Sequence, residues 1–357
     1  MPVLLLDKEK CLRNMEKMAR KASVHKLSFR PHCKTHQSAE ISYWLRDFGV
    51  NRITVSSFFM ARYFASAGWT DILVAFPFQP GEMENLIALS EHCRLSILVD
   101  SPEVLPFLNH IPHRLSFYLD IDTGYGRTGI KAENTDLMEQ IIVKAGANPH
   151  LQFAGFYCHA GHSYKTANQK ERDQIHQKAI GDLGELKRKF GYYKPKLLYG
   201  DTPNCSTQED FGELDEITPG NFVFYDLVQW ALGACSLDEI AVAMECPVAG
   251  RYPSEQRILI HGGAVHFSKE SLQLKGGSIH GKLVRQAKRS WVDAGSELYL
   301  SSLSQEHGLV EDAGDLINRI GIGEKLLFLP VHSCLTANLA REYRSLDNES
   351  IENIHSS

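Results

Sequence analysis

The chain has 357 residues, 43% of them hydrophobic and 23% charged, enough to bury a large core and too many for a single small binding module. Lys and Arg number 38 against 43 Asp and Glu, a net charge of −5, and no long run of like charge is present, which excludes the basic footprint of a nucleic-acid binder. The apolar start Val3–Leu6 runs directly into Asp7, Lys8 and Glu9. That is too short for a signal peptide or a membrane span, so a cytoplasmic protein with no membrane partner is expected.

In chain order, Cys11, Met15, Met18 and Ala22 recur at helical spacing and predict a helix over 8–22. Short apolar runs then alternate with amphipathic stretches. The runs predict strands at 26–29, 53–55, 72–76, 95–99, 115–121, 153–157 and 196–199, with an eighth near 217–224. Among the helical stretches, 165–190 is the clearest, with Ile175, Ala179, Leu183, Leu186 and Phe190 on one face. Strand and helix repeated eight times predict parallel strands joined by right-handed crossovers, closing as a (β/α)8 TIM-type barrel. An open doubly wound sheet is the alternative.

From about residue 240 the texture changes to short β-like runs at 240–247, 257–261, 297–303 and 325–329, separated by glycine-rich turns. These predict a C-terminal, mainly antiparallel β domain. The expected division is a barrel over 8–238, with 1–7 and 239–357 forming the β domain. The last ten residues, polar from Asn348, read as a loose tail. Eight cysteines share no spacing and form no C-x-x-C, so neither a disulfide framework nor a four-cysteine metal cluster is expected, and most are read as buried thiols.

Chemistry in such a barrel gathers where strands end. After the first run comes Arg30-Pro31-His32-Cys33-Lys34-Thr35-His36. A lone lysine is usually a solvated charge, but burial among neighbouring cations favours the free amine that makes Schiff bases. After the fifth run comes 120–129 with Arg127, after the sixth 159–164, and after the seventh 200–203 with Thr202. The eighth contains Pro219-Gly220-Asn221. Thr202, Gly220 and Asn221 are each ordinary turn residues, yet together they supply the N–H and hydroxyl donors that hold a phosphate. Arg127 is either a surface ion pair or a partner for a phenolate or carboxylate. In the second domain, His332 and Cys334 lie two apart in a segment expected to be extended, where i and i+2 share a face and can ligate one metal. Alone, the pair is only half a zinc site and reads first as a packed histidine beside a buried thiol. The turn 304–308 is either a solvated hairpin or a pocket rim.

These stretches, R-P-H-C-K-T-H, D-I-D-T-G-Y-G-R-T-G, G-F-Y-C-H-A-G-H-S-Y, G-D-T-P, P-G-N-F, S-Q-E-H-G and P-V-H-S-C, occur in this order over nearly the whole chain. The chain resembles the D-serine dehydratase and D-threonine aldolase-like family, pyridoxal-phosphate enzymes with an alanine-racemase-like barrel and a C-terminal β domain. The resemblance implies that Lys34 carries the cofactor as a Schiff base. It implies that Arg127 lies near the pyridoxal O3′, that Tyr157 and Tyr164 line the ring, and that Thr202, Gly220 and Asn221 hold the phosphate. It further implies that His332 and Cys334 bind Zn2+ and that the protein is a homodimer. In this family H-x-C accompanies dehydratases and H-x-D aldolases, so dehydration of D-serine or another D-3-hydroxy amino acid to a 2-oxo acid and ammonia is expected. Retro-aldol cleavage to glycine and an aldehyde, racemisation, and non-catalytic cofactor carriage are the alternatives. The departures Asp201 and Phe222 fall near the expected phosphate site.

Overall fold

The structure, a computed structural model, describes residues 1–274, 277–288, 290–295, 298–311 and 313–356. The chain forms two compact units, one of Lys17–Lys34 and Tyr43–Gly220, the other of Met1–Glu16, Thr35–Ser42 and Asn221–Ser357. Strand β1 (Val3–Leu6) belongs to the latter, and helix α1 (Lys8–Val24) follows it. The apolar stripe expected on α1 is real: Cys11, Met15, Met18 and Ala22 are all buried.

The first unit holds eight parallel strands, β2 (Ser28–Phe29), β3 (Ile53–Val55), β4 (Asp71–Pro77), β5 (Arg94–Val99), β6 (Leu115–Asp122), β7 (Leu151–His159), β8 (Lys196–Gly200) and β9 (Glu216–Ile217). From β3 to β9 each pairs with the next, and β9 pairs with β2. The ring closes just beyond β2, where Cys33 N–H donates to Thr54 O and Thr54 N–H to Pro31 O. This is the expected (β/α)8 barrel, and its strands read as unbroken apolar runs because both faces are covered. Leu73, Leu98, Tyr118, Tyr157 and Leu198, from five consecutive strands, form one buried apolar cluster.

Between β6 and β7 the pairing slips by one residue, Phe117 facing Phe153 and Tyr118 facing Gly155. Gly155 adopts φ +146° with its Cα against the Lys196 backbone, where no side chain fits. Such a bulge re-aims the residues that follow it, here Tyr157 to His159. The longest helix, α2 (Gln169–Lys189), starts later than the 165–190 pattern suggests. Asn168 caps it by accepting from Glu171 N–H at 3.0 Å.

Two expectations change in this unit. The eighth strand ends at Ile217 and does not run to 224, because Pro219 has no N–H for the ladder and Asn221–Val223 turns as a 3-10 helix. Arg30 does not join a cationic cluster beside Lys34. Its Nε donates to Glu216 at 2.5 Å and its Nη1 to Asp71 at 2.8 Å, both at the starts of their strands. A buried guanidinium requires such partners, and they draw it to the N-terminal end of the barrel.

In the other unit, β10 (Val242–Tyr252), β11 (Arg257–His261), β12 (Gly281–Ala287), β13 (Tyr299–Leu303), β14 (His307–Val310) and β15 (Lys325–Pro330) form a closed antiparallel ring in the order β10-β11-β14-β13-β12-β15. The expected antiparallel domain is therefore itself a small barrel. Of the run 297–303, Glu297 lies outside the described residues. β1 pairs antiparallel with β10 and parallel with β16 (Glu342–Ser345).

The tail expected to be loose is pinned. β17 (Ser350–Glu352) pairs with β16, and Ile351 and Ile354 are 3% and 5% exposed. Ile354 N–H donates to Gln37 O, and His355 Nε2 lies 2.9 Å from Gln37 Oε1. Two isoleucines in an otherwise polar stretch supply the anchor that composition alone concealed. Among the described residues no helix is long and apolar enough to cross a membrane.

Candidate active site

The C-terminal ends of the barrel strands carry the polar groups. Beyond β2, the turn bearing Lys34 is fixed by His32 N–H donating to Pro219 O and by Lys34 N–H donating to His32 Nδ1 at 3.3 Å. Lys34 itself is half-buried. Beyond β6, Asp122 accepts from the N–H groups of Gly124 and Gly126 at 2.9 and 3.0 Å, shaping a loop that leaves Arg127 exposed with its guanidinium 5.0 Å from the Tyr125 ring centre. Tyr125 stacks on His162 and meets His159 edge-on. Gly161 is the residue that allows this, since a Cβ there would run into the Tyr125 ring.

His159 faces Gly200 O through Nδ1 at 3.1 Å. A carbonyl only accepts, so the proton sits on Nδ1 and Nε2 keeps its lone pair. Burial, then the charges of Lys34 and Arg127, push His159 down to about 3, so it is neutral throughout the working range. Tyr157 is buried in the barrel interior with its hydroxyl bonded to Thr218, and burial pushes its phenol up. Tyr164 accepts from Thr202 N–H at 3.3 Å. Thr202 is fully buried, and its Oγ1 has no hydrogen-bond partner among the described residues. It opens α3 (Thr202–Thr207), capped by Asp201, which accepts from Asn204 N–H at 2.7 Å and from Ser163 Oγ at 3.0 Å. Asp201 is thus a cap, and Phe222 is a fully buried core residue. Gly220 closes the turn after β9.

Asp120, at the end of β6, is 4% exposed, and burial raises it from 3.8 to about 6 against an opposing hydrogen bond from Thr128. Its protonated form is the one the fold favours. The associated stability is complete below about pH 4 and is lost as pH rises through 6, about 3 kcal/mol in all. Asp120→Asn should flatten that decline and unfold at higher temperature than the parent at pH 8. Denaturation curves of both proteins from pH 4 to 8 check this, and identical pH slopes would contradict it.

In the other unit the expected extended His-x-Cys segment is not extended throughout. β15 stops at Pro330, His332 is the N-cap of α4 (Ser333–Leu339), and Cys334 lies in its first turn. The cap geometry still joins the two side chains by a hydrogen bond. Burial alone would lower His332, but the bond and charge of Cys334 carry it up to about 9. Burial likewise opposes ionisation of Cys334, yet His332 outweighs it and holds the thiol below its ordinary value. Each thus favours the charged form of the other. Thr35 Oγ1 and Asn221 Nδ2 each lie 3.4 Å from the sulfur.

The 304–308 turn is the β13–β14 hairpin. Glu306 there lies 3.6 Å from His261 Nε2 and 4.0 Å from His266 Nε2. All three present ligand atoms within 4.8 Å of one another. Gly263 N–H donates to His266 Nδ1, however. That leaves the proton on Nε2 facing the carboxylate, an arrangement for hydrogen bonding and not for a cation, whose histidine ligands donate from the second nitrogen.

Residues 6–225 match the alanine racemase N-terminal domain family and residues 241–346 the putative serine dehydratase domain. The chain belongs to the alanine racemase N-terminal domain family. It is 29% identical to D-serine dehydratase of Dictyostelium discoideum, over 97% of this chain and 93% of that one. It is 26% identical to D-threo-3-hydroxyaspartate dehydratase of Delftia sp. (strain HT23), with the same coverage. The solved structure of that Delftia enzyme superposes with a TM-score of 0.90 at 23% identity, covering 99% and 97% of the two chains. D-threonine aldolase from Filomicrobium marinum superposes at 0.83 and 20% identity, covering 100% and 95%. These likenesses establish the same barrel and β-domain fold.

In the sequence, His159, His162, Tyr125 and Ser333 stand inside the quoted motifs without a part of their own, and Asp226 stands outside them. For the first three the H-A-G-H spacing was the available signal. For Asp226, at the end of an aromatic run, nothing in the sequence marked it.

Proposed function

We propose that the protein is a pyridoxal-phosphate- and zinc-dependent lyase acting on a D-3-hydroxy amino acid, D-serine foremost, releasing a 2-oxo acid and ammonia. The observation that carries this reading is the side-chain pairing of His332 and Cys334 at the head of α4, in a chain whose barrel ends in Lys34 and a buried Thr202 hydroxyl without a hydrogen-bond partner among the described residues. The names of the relatives, D-serine and D-threo-3-hydroxyaspartate dehydratases, support the substrate class.

The residues fit both groups. Lys34 would bond to the cofactor, Thr202 Oγ1 with the backbone of Gly220 and Asn221 would hold the phosphate, Arg127 the O3′, and Tyr157 and Tyr164 the ring. Bound pyridoxal phosphate supplies an electron sink for the bonds at the substrate's Cα. His332 and Cys334 would hold zinc, which suits an imidazole and a soft thiolate and supplies Lewis acidity toward the β-hydroxyl. A variant of a D-threo-3-hydroxyaspartate dehydratase has been solved in a metal-free form. Lys34, once its amine is free, takes the Cα proton. His159, neutral and with its Nδ1 proton held by Gly200 O, offers Nε2 as an acceptor and so orients a donor without delivering a proton. We place the enzyme in the cytoplasm as a homodimer, without nucleic-acid or membrane partners; its net charge of −5 speaks against a nucleic-acid partner.

Retro-aldol cleavage is the second reading, favoured by the superposition on D-threonine aldolase. D-Serine, D-threonine and D-3-hydroxyaspartate should be compared with product identification, with and without added zinc. Zinc-dependent 2-oxo acid from D-serine is the expected result. Glycine and aldehyde as the main products would overturn dehydration, and turnover indifferent to chelation would overturn the metal.

A further inference from the structure

We infer that the Asn221 side chain is a positioning group of the His332–Cys334 metal site and that only its main chain serves the phosphate turn. The inference rests on the metal reading above. Asn221 is 4% exposed. Its Nδ2 lies 2.7 Å from Asp226 Oδ2, 3.1 Å from Ser333 Oγ and 3.4 Å from Cys334 Sγ. These neighbours determine which way the amide points, because a carbonyl oxygen turned toward the Asp226 carboxylate would meet a group that only accepts.

Asp226 is fixed in turn. Its Oδ2 also accepts from Ser333 N–H at 3.0 Å and Ser333 Oγ at 3.3 Å, and its Oδ1 accepts from Gln229 N–H at 3.0 Å. Asp226 thus orients Asn221 and the first residue of α4, while Asn221 holds the sulfur next along that helix. With Nδ2 committed, Asn221 Oδ1 faces the other way, buried and without a partner among the described residues. A buried amide oxygen left in this state calls for a donor. The side chain would thus steady the Cys334 sulfur with its nitrogen and keep its oxygen for a donor brought by a ligand of the site. Outer-shell partners of this kind orient ligands and tune the metal.

Cobalt(II) is the probe, because its thiolate charge-transfer band reports the Cys334 bond directly. In the full chain loaded with pyridoxal phosphate, Asn221→Ala should weaken cobalt and zinc binding about 10- to 100-fold and shift the band. Its affinity for pyridoxal phosphate, titrated separately, should stay within a few-fold of the parent. Asn221→Asp, nearly identical in shape, should lose more, since it sets a carboxylate against Asp226 and the thiolate. It also controls for a folding defect when both variants melt like the parent. Unchanged cobalt affinity and band in both variants, or an equal loss of cofactor binding, would overturn the role of Asn221. A parent protein with no Cys334-dependent band would bring down the metal reading itself, and this inference with it.

Discussion

Lys34→Ala should bind pyridoxal phosphate without the visible absorbance of the lysine-bound cofactor and should lose turnover on the order of 10³-fold or more, since both covalent attachment and proton removal from Cα vanish together. The position of the lysine explains why no neighbour should substitute. Arg30, which sequence places four residues away, is spent on Asp71 and Glu216, and His159 has its one proton committed to Gly200 O. The turn itself is held by main-chain bonds from His32 and Cys33, so the substitution should leave the fold intact and Tm near that of the parent. Lys34→Arg keeps the charge and should be as inactive, because a guanidinium neither attaches to an aldehyde nor gives up its proton. Reductive trapping with borohydride followed by peptide mass analysis checks the assignment. Label on any residue other than Lys34, or activity surviving in either variant, would defeat it.

The barrel was legible because its strands are buried on both faces, and an apolar run such as 95–99 or 115–121 has no other stable fate in a chain that alternates with amphipathic helices. Where the chain departed from expectation, long-range partners decided. The eighth strand looked six residues longer because Phe222 to Tyr225 are apolar, but they are buried as a turn and not as a ladder. Arg30 looked like part of a basic cluster because sequence neighbours are not spatial neighbours along a strand. The tail looked loose because only Ile351 and Ile354 bury it, and their receiving surface, which includes Gln37, lies more than three hundred residues earlier in the sequence.

The candidate site was legible to the same degree. Residues following strands could be named from position alone, and that is how Lys34, Arg127 and Thr202 were found. Their orientation could not be read. Arg127 is exposed against Tyr125, and Asn221, grouped with the phosphate by its place in the chain, turns its amide to Asp226 and Cys334. The spacing of His332 and Cys334 suggested a shared strand face, whereas a helix cap brings them together. The same pair of residues was found for a reason that the geometry replaces.

That pair supports the second large prediction, a separation of two steps that a racemase would not show. Removing either residue takes away one of the two zinc-holding side chains, so Cys334→Ala and His332→Ala should each lose zinc and with it about 10²- to 10³-fold of 2-oxo acid formation from D-serine. The loss should fall on the departure of the β-hydroxyl, for which a bound cation contributes several kcal/mol. Exchange of the substrate's Cα hydrogen with deuterated water, in contrast, needs only Lys34 and the cofactor, and should persist within about tenfold. Proton magnetic resonance of D-serine in deuterated buffer follows exchange and product in one sample. Exchange and elimination falling together would mean that the pair does more than handle the leaving group. Full elimination in either variant would remove the metal from the reaction, and with it the distinction between this protein and a racemase built on the same barrel.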